Sequence, residues 1–347
     1  MRIAQVAPLS ESVPPKLYGG TERVVANLTD ELVRRGHDVT LFASGDSRTA
    51  AKLAPACPQA LRLAGCTDYL APHLLLVEQV AKRAREFDII HFHIALLHAP
   101  LCRRLQVPHV TTLHGRLDLP ELTAFYQEYD DSPLVSISEA QRQSIPDARW
   151  VGTIHHGLPP DDLTFSPRGG DYLAFLGRIS PEKRADRAIA IAKASGCRLK
   201  IAAKVDPADR DYFERELRPL LSDPLVEFIG EIGEAQKSAF LGGAKALLFP
   251  IDWPEPFGLV MIEALACGTP VVAFRKGSVA EILEDGVTAF IVDDLDQAID
   301  ATRRIGELSR FACRRAFERR FTTTHMAAAY TRLYRRLVRE SSSNLVA

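Results

Sequence analysis

Residues 253–270 read WPEPFGLVMIEALACGTP, and they decide how the second half of the chain folds. Two prolines near the start keep the backbone extended and prevent a helix from running in. Every residue in the range 259–267 is apolar except Glu263, and Gly268 reads as a helix end. A helix that is apolar almost all round is normally buried. The stretch therefore predicts a short buried helix with a single carboxylate, followed by a buried strand at 271–274.

The start of this helix and its carboxylate together predict a ligand site. A buried carboxylate is costly unless it accepts hydrogen bonds, so Glu263 needs donors, either from the protein or from the hydroxyls of a ligand. The helix start at Gly258 and Leu259 is free of bulk and offers unpaired N–H groups, which suit a phosphate. Glu263 lies roughly 7 Å further along the axis, and Glu255 lies just before the helix. A phosphate position with a carboxylate on either side suits a nucleotide sugar.

Two cations follow the first strand of the second half. Residues 171–176 predict a buried strand, and the sequence GRISPEKR at 177–184 leads from it into a helix. Arg178 leaves the carboxyl end of the strand, and Lys183 lies near the helix start, where a basic residue opposes the helix dipole unless an anion is bound. The pattern suits a bound diphosphate. The alternative is a solvated arginine–lysine pair on the surface.

The first half of the chain begins with a strand, a glycine-containing loop, a helix and a second strand. The strands are predicted at 2–7 and 39–43, and Gly19 and Gly20 precede the helix. This βαβ unit lacks the G-x-G-x-x-G of dinucleotide-binding proteins, so we interpret the glycine pair as a loop that approaches a ligand phosphate. The alternative is an ordinary loop. His114 ends a later strand, where polar side chains face the ligand crevice of an α/β sheet.

His91 and His93 lie two residues apart on a predicted strand, so their side chains share one face. A metal could use that spacing, but the sequence offers no convincing third ligand. We therefore expect a histidine pair that the backbone or a ligand satisfies, and no obligatory metal.

Composition excludes several classes of protein. The 347 residues carry a net charge of −1, which gives no global signal for nucleic-acid binding. Six cysteines without a C-x-x-C are typical of reduced thiols in a cytoplasmic protein. The N-terminus reads as a strand rather than a signal peptide, and no apolar run is long enough to span a membrane. Basic residues around Lys82 and Arg103 leave open a weak peripheral contact with a membrane or a contact with an anionic acceptor, and the alternative is a solvated surface. We expect a monomer or a weak homodimer.

Three segments carry a resemblance to a known family. EPFGLVMIEALACGTPVV, GRISPEK and GGTERVV resemble the corresponding segments of the family 4 glycosyltransferases, which are retaining enzymes of the GT-B architecture. The resemblance implies an α/β protein with two Rossmann-like domains that face each other across a cleft. We place the acceptor-side domain at 1–157, a linker at 158–170, the nucleotide-sugar-binding domain at 171–322 and a helix returning to the first domain at 323–340.

The resemblance also implies roles for individual residues. The catalytic set would be Arg178 and Lys183 on the leaving diphosphate, Glu255 on the donor sugar and His114 beside the sugar and diphosphate. The donor-binding set would be Gly19, Gly20, Glu231, Ile232, Phe257, Gly258, Leu259, Val260 and Glu263, with Glu263 on the ribose and the main chain of 231–232 at the base.

The implied reaction moves a hexose from a nucleotide-diphosphate sugar to a hydroxyl of a glycan, a lipid or a small molecule. A UDP-sugar, UDP-glucose first, is the favoured donor and GDP-mannose is the second, with no cofactor beyond the donor. The alternatives are a nucleotide-sugar epimerase of the same fold and a non-catalytic sugar-binding protein. The acceptor would be shaped by residues 8–18 and 60–130, and the sequence does not identify it.

Overall fold

The computed structural model of the chain describes residues 1–16, 19–105 and 107–344. Its backbone contacts divide the chain into two compact units. Unit 1 consists of Met1–Gly157 and Thr323–Ala347, and unit 2 consists of Leu158–Thr322. Each unit contains its own parallel sheet.

The sheet of unit 1 consists of short apolar strands, because helices cover both faces of a parallel sheet and leave little room for polar alternation. In the described part of the unit its seven parallel strands have the order β3-β2-β1-β4-β5-β6-β7. The strands are β1 (Arg2–Val6), β2 (Asp38–Ser44), β3 (Lys52–Cys57), β4 (Ile89–Phe92), β5 (His109–Thr112), β6 (Leu134–Ser136) and β7 (Trp150–Thr153).

The helices of unit 1 connect successive strands except β2 and β3, and the last helix of the chain belongs to the same unit. Two of the buried side chains of this last helix, Tyr330 and Tyr334, share one helix face at i and i+4 and are 1% and 0% exposed. The helices are α1 (Gly20–Arg34), α2 (Leu70–Lys82), α3 (Ala99–Cys102), α4 (Pro120–Glu128), α5 (Glu139–Arg142) and the terminal helix α13 (Thr323–Asn344).

Unit 2 repeats the same plan. Its six described strands are parallel and have the order β10-β9-β8-β11-β12-β13. The strands are β8 (Tyr172–Ile179), β9 (Arg198–Val205), β10 (Val226–Gly230), β11 (Ala244–Phe249), β12 (Val271–Phe274) and β13 (Ala289–Val292). Residues 158–170 contain no helix or strand and lie against this unit, where the Ser166 N–H donates to the Cys267 carbonyl at 3.0 Å.

The helices of unit 2 cover both faces of its sheet. The predicted buried helix is α9, and its residues from Met261 to Ala266 are all buried. The helices are α6 (Ala185–Ser195), α7 (Arg210–Tyr212), α8 (Glu234–Gly242), α9 (Leu259–Ala266), α10 (Val279–Ile282), α11 (Leu295–Arg304) and α12 (Arg310–Arg320).

Two local features differ from what the sequence pattern predicts. The charged segment after β9 should form one long helix, but it consists of short helical turns over Pro207–Ser222 that alternate in hydrogen-bond period. Pro219 has no N–H to continue an α-helical ladder, which explains the break. Strand β3 has no predicted counterpart, because this edge strand is only partly buried and contains Pro55.

The strand orders place a ligand crevice in each unit. In both parallel sheets the order in which strands are added reverses at the first strand: later strands first extend the sheet on one side of β1 or β8, and then on the other side, beginning with β4 or β11. In such sheets ligands bind outside the carboxyl ends of the strands at this switch point. In unit 2 the segments that leave the switch point are those after β8 and β11.

Among the described residues, no helix is both long enough and apolar enough to cross a lipid bilayer.

Candidate active site

Arg178 lies at the carboxyl end of β8 and is surrounded by carboxylates. Its Nη2 donates to Glu182 Oε1 at 2.7 Å, and Asp206 and Asp209 lie within 3.9 Å of the guanidinium. Burial raises the pKa of Asp209, and the positive charge of Arg178 only partly offsets this. The side chain of Arg178 is 36% exposed. The neighbouring carboxylates therefore restrain the Arg178 guanidinium, which stays partly exposed, so this residue is not a freely solvated surface arginine.

Lys183 and Glu255 form an ion pair with each other. Lys183 ends a single helical turn after β8, and Glu255 follows β11. The Trp253 Nε1–H donates to the same carboxylate oxygen of Glu255 at 3.2 Å, and the Lys183 ammonium lies 5.0 Å from the centre of the Trp253 ring. The two segments meet because β8 and β11 are neighbours in the sheet. The structure thus brings two predicted site residues into direct contact, which their distance in sequence gave no reason to expect.

Gly277 supports the Glu255 segment from the other side, and the sequence reasoning missed it. The Ser278 N–H donates to the Glu255 carbonyl at 2.9 Å. A Cβ on Gly277 would lie 2.4 Å from both the N and the O of Glu255, and its φ is +52°. Only glycine permits this approach. The signal available in the sequence was the glycine between β12 and α10.

The predicted phosphate-binding position is the first turn of α9. Gly258 precedes the helix with a φ of +75°, and Leu259 and Val260 are partly exposed in the first turn. Phe257 is buried, and its carbonyl accepts a hydrogen bond from the Ser278 hydroxyl at 3.0 Å. The first N–H groups of an α-helix have no carbonyl partner within the helix. The geometry is thus open on the side where an anion would bind.

Glu263 has a protein donor. This carboxylate is 2% exposed, and it accepts from the Lys237 ammonium at 3.0 Å. Lys237 lies on α8 and also pairs with Glu234 at 2.6 Å. Of the two donor types that the sequence left open for Glu263, the structure supplies a lysine. The sequence analysis did not predict Lys237 as a site residue. Its position shortly after residues 231–232, the predicted contact to the nucleotide base, was a usable signal.

Glu231 and Ile232 follow β10 and precede α8. Glu231 is exposed and Ile232 is partly exposed. Their backbone belongs to neither the strand nor the helix, so it is free of the hydrogen-bond pattern of those elements.

In unit 1, His114 lies just after β5 and contacts two other histidines. Its Nε2 lies 2.9 Å from His93 Nδ1, and its ring stacks on that of His156 with the centroids 5.2 Å apart. Burial lowers the pKa of His114 to about 3, so the ring is neutral.

The predicted glycine loop of unit 1 leads directly into α1, which begins at Gly20. A Cβ on Gly19 would lie 2.7 Å from Pro15 Cβ, so the backbone is tightly packed there. Residues 17 and 18 of the predicted loop, and residue 106 of the predicted acceptor region, lie outside the described residues.

The sequence predicted that the backbone or a ligand satisfies the histidine pair of β4, whereas the structure shows protein side chains as its partners. His91 hydrogen-bonds to the Thr112 and Tyr334 hydroxyls, and His93 hydrogen-bonds to Gln5 and His114. Within the described ranges, no cluster of three or more histidine, cysteine or carboxylate side chains has the arrangement of a metal site.

Comparison with known families decides the assignment. The model described as Glycosyltransferase Family 4 matches residues 18–209, more than half of the chain, and the model described as Glycosyl transferases group 1 matches residues 164–311. The chain is a member of glycosyltransferase family 4. The candidate catalytic residues and the candidate donor-binding residues all fall within these two matched ranges.

Similar proteins agree with this family assignment. The D-inositol 3-phosphate glycosyltransferase of Mycobacterium avium (strain 104) is 29% identical over 304 residues, which cover 73% of this chain and 70% of that protein. AviGT4, a glycosyltransferase involved in avilamycin A biosynthesis, has a TM-score of 0.73 and 28% identity, with 98% of each chain covered. Anabaena Alr3699/HepE, solved with UDP-glucose, has a TM-score of 0.70 and 19% identity over 99% of this chain and 100% of that chain.

This family 4 glycosyltransferase therefore has the GT-B fold and is a transferase. The resemblance of the three sequence segments to family 4 is confirmed, as is the α/β class with two Rossmann-like parts.

Proposed function

We propose that the enzyme transfers a hexose from a UDP-sugar, with UDP-glucose the first candidate, to an acceptor hydroxyl with retention at the anomeric carbon. The observation that carries the proposal is that Arg178 and the Lys183–Glu255 ion pair follow the carboxyl ends of the neighbouring strands β8 and β11. Two cations near a helix start suit a departing diphosphate, and the carboxylate paired with Lys183 suits the hydroxyls of a sugar.

The leaving group sets the roles of the two cations. As the bond between the anomeric carbon and the diphosphate breaks, negative charge develops on the diphosphate oxygens. Arg178 and Lys183 stabilise that charge, and the surrounding protein holds them before the donor arrives. The carboxylates around Arg178 and the ion pair of Lys183 restrain both side chains, which lowers the cost of ordering them.

Glu255 and Glu263 hold the donor on either side of the diphosphate. Glu255 accepts hydrogen bonds from the sugar hydroxyls, while the Trp253 N–H and Gly277 fix the position of its segment. Glu263 accepts from the ribose hydroxyls, with Lys237 supplying the positive partner of the buried carboxylate. The first turn of α9, from Phe257 through Val260, donates N–H groups to the diphosphate. The main chain of residues 231–232 contacts the base.

We also propose that three residues of unit 1, Gly19, Gly20 and His114, contact the donor. The glycine pair at the start of α1 provides backbone N–H groups for the diphosphate. His114 is neutral, so it contributes a hydrogen bond to the sugar rather than a charge. No metal and no separate general base is required: the acceptor oxygen bonds to the anomeric carbon, and its proton passes to the departing diphosphate.

The choice of UDP rests on structural neighbours. Alr3699/HepE was solved with UDP, with UDP and glucose, and with UDP-glucose. Its likeness to this chain supports the fold, and its ligands make UDP-glucose the first donor to test, ahead of GDP-mannose.

The test compares Arg178→Ala with Arg198→Ala. Arg198 lies at the other end of the same sheet and makes an exposed ion pair with Asp171, so its replacement controls for loss of a positive charge. Turnover of UDP-glucose, followed as UDP release, should fall about a hundredfold in Arg178→Ala, as expected for removal of one electrostatic catalyst. It should be unchanged in Arg198→Ala. Equal turnover in the two variants would rule out the role of Arg178.

Two further measurements separate the donor from the stereochemistry. A thermal-shift series with UDP, GDP and ADP should show stabilisation by UDP alone. Nuclear magnetic resonance of the first product should show the anomeric configuration of the donor. Stabilisation by GDP alone would refute the UDP-sugar donor and favour a GDP-sugar. A product with the inverted anomeric configuration would refute the retaining mechanism.

A further inference from the structure

Seven buried or partly buried side chains of unit 1 form one continuous chain of hydrogen bonds. One end is His114, and the other end is Tyr330 on α13. The links are His114 Nε2 to His93 Nδ1 at 2.9 Å, His93 Nε2 to Gln5 Oε1 at 2.7 Å, Gln5 Nε2 to Tyr334 Oη at 3.1 Å, Tyr334 Oη to His91 Nδ1 at 2.6 Å, His91 Nε2 to Thr112 Oγ1 at 2.7 Å, and Thr112 Oγ1 to Tyr330 Oη at 2.8 Å.

The sheet explains why these groups meet. Gln5 on β1 and His91 on β4 are directly paired in register, and β5 with Thr112 is the next strand. His93 projects to the same side as His91 because residues two apart on an extended chain share a face. The i and i+4 tyrosines of α13 lie on that side. The chain therefore joins the end of β5 to the C-terminal helix entirely within unit 1.

The orientation of the Gln5 amide decides where each proton lies. Gln5 directs its NH₂ to Tyr334 and its carbonyl oxygen to His93. A carbonyl oxygen only accepts, so His93 Nε2 carries the hydrogen. Burial holds the pKa of His93 well below its ordinary value, so the ring is neutral and has one N–H. His93 Nδ1 therefore accepts, and the hydrogen between the two rings belongs to His114 Nε2.

The remaining hydrogen bonds, from Gln5 to Tyr330, run in the same donor-to-acceptor direction. The Tyr334 hydroxyl accepts from Gln5, so its own hydrogen goes to His91 Nδ1. His91 Nε2–H then donates to Thr112, whose hydroxyl donates to Tyr330. Each internal group of the chain donates once and accepts once, so reversing the Gln5 amide would reverse every bond along it.

These donor and acceptor assignments leave the Nδ1 of His114 as an acceptor without a donor. With the hydrogen on Nε2, the Nδ1 of neutral His114 is a lone pair. In the part of the chain that the structure describes, this buried nitrogen has no hydrogen-bond partner. Stacking on His156 holds the plane of the ring. A buried acceptor without a donor is costly, so it favours a ligand hydroxyl that supplies one.

We propose that Gln5, His93 and Tyr334 are positioning residues that hold His114 in the tautomer with the hydrogen on Nε2, so that Nδ1 accepts a hydrogen bond from a hydroxyl of the donor sugar. The assignment of that hydroxyl to the donor sugar rests on the proposed function. The chain of hydrogen bonds from His114 to Tyr330, called the relay below, rests only on contacts within unit 1. It makes the C-terminal helix a determinant of the site histidine, because the Tyr334 hydroxyl is the group that orients the Gln5 amide.

The test uses the full-length protein and the matched variants Tyr334→Phe and Tyr330→Phe. Each removes one buried hydroxyl from the same face of α13, so both should lose stability. Only Tyr334 lies between Gln5 and the rest of the chain. Protein containing isotope-labelled histidine gives a proton–nitrogen correlation spectrum in which the two tautomers have different patterns. The His114 signals are identified by their disappearance in His114→Gln.

In the unmodified protein and in Tyr330→Phe, His114 should show the hydrogen on Nε2. In Tyr334→Phe it should show a mixture of tautomers, and kcat with UDP-glucose should fall about fivefold to tenfold below that of Tyr330→Phe. A hydrogen on Nδ1 in the unmodified protein, or an unchanged tautomer in Tyr334→Phe, would overturn the relay. A changed tautomer with equal kcat in the two variants would support the relay and overturn the role of His114 in transfer.

Discussion

Replacing Glu22 by glutamine should stabilise the protein, and the gain should grow as the pH rises. Glu22 lies in the first turn of α1 and is 6% exposed. Burial raises its pKa and the nearby Glu11 carboxylate adds to this, while its own backbone N–H and Arg62 act in the opposite direction. Burial dominates, and the pKa rises from 4.5 to about 7. Ionising this side chain in the folded protein is therefore unfavourable.

The magnitude follows from proton linkage. Because the folded pKa lies above the unfolded one, the folded state binds the proton more tightly, and stability is lost as the pH rises through the folded value. The full loss for a pKa raised from 4.5 to about 7 is roughly 3 kcal/mol. Glutamine does not ionise and avoids it. Between about pH 5.5 and about pH 8.5, the advantage of Glu22→Gln should grow by about 2 kcal/mol.

Glu31 provides a control on the same helix with the opposite sign. This buried carboxylate accepts hydrogen bonds from Arg34 at 2.6 Å and from Arg35 at 3.0 Å. The hydrogen bond from Arg34 contributes most to lowering its pKa, so its stabilisation is complete above the unfolded value and is lost only in acid. Glu31→Gln should therefore be less stable than the unmodified protein by a nearly constant amount across the same pH range.

Urea unfolding followed by circular dichroism at a series of pH values measures both variants, with separate transitions fitted for the two units if they appear. Comparing each variant with the unmodified protein at every pH cancels the titration of all other groups. A pH-independent difference for Glu22→Gln, or one that shrinks as the pH rises, would refute the assignment of a raised pKa to this carboxyl.

Three other substitutions test the supports of the candidate site in unit 2. Lys237→Met takes an ammonium from the buried Glu263 and should cost about 3–5 kcal/mol in urea unfolding, most of which the added change Glu263→Gln should restore. Gly277→Ala should lower kcat at least tenfold, as UDP release would show, because a Cβ 2.4 Å from the Glu255 backbone must displace it. Arg310→Lys should cost about 2–4 kcal/mol by thermal unfolding, because one ammonium cannot replace a guanidinium that donates to three carbonyls and the Thr269 hydroxyl within 3.0 Å. No recovery of stability in the double variant Lys237→Met with Glu263→Gln would contradict the first expectation. Unchanged kcat in Gly277→Ala would contradict the second, and an unchanged melting temperature in Arg310→Lys would contradict the third.

Local pattern in the sequence determined the elements that depend on neighbouring residues. The helix at 259–267 was predicted from its apolar run and flanking glycines, and α9 is there with Gly258 in the left-handed conformation. Ser138 precedes α5, and its hydroxyl accepts from the Gln141 N–H at 3.0 Å. Caps, breaks and periodicity act over a few residues, so they can be read without the fold. The exceptions are elements with a weak pattern, such as the edge strand β3 and the broken turns after β9.

Tertiary structure alone decided which charged and polar side chains meet. Lys183 and Glu255 are each plausible site residues in the sequence, but their ion pair exists because β8 and β11 are adjacent. The contact of Lys237 with Glu263 and the chain from His114 to Tyr334 arise in the same way. Sequence spacing fixes the face of a strand or helix on which a side chain lies, whereas the order of the strands and the crossing of helices fix its neighbours. The sequence by itself therefore determined the family, the elements and the candidate residues, and the fold decided their partners and their protonation.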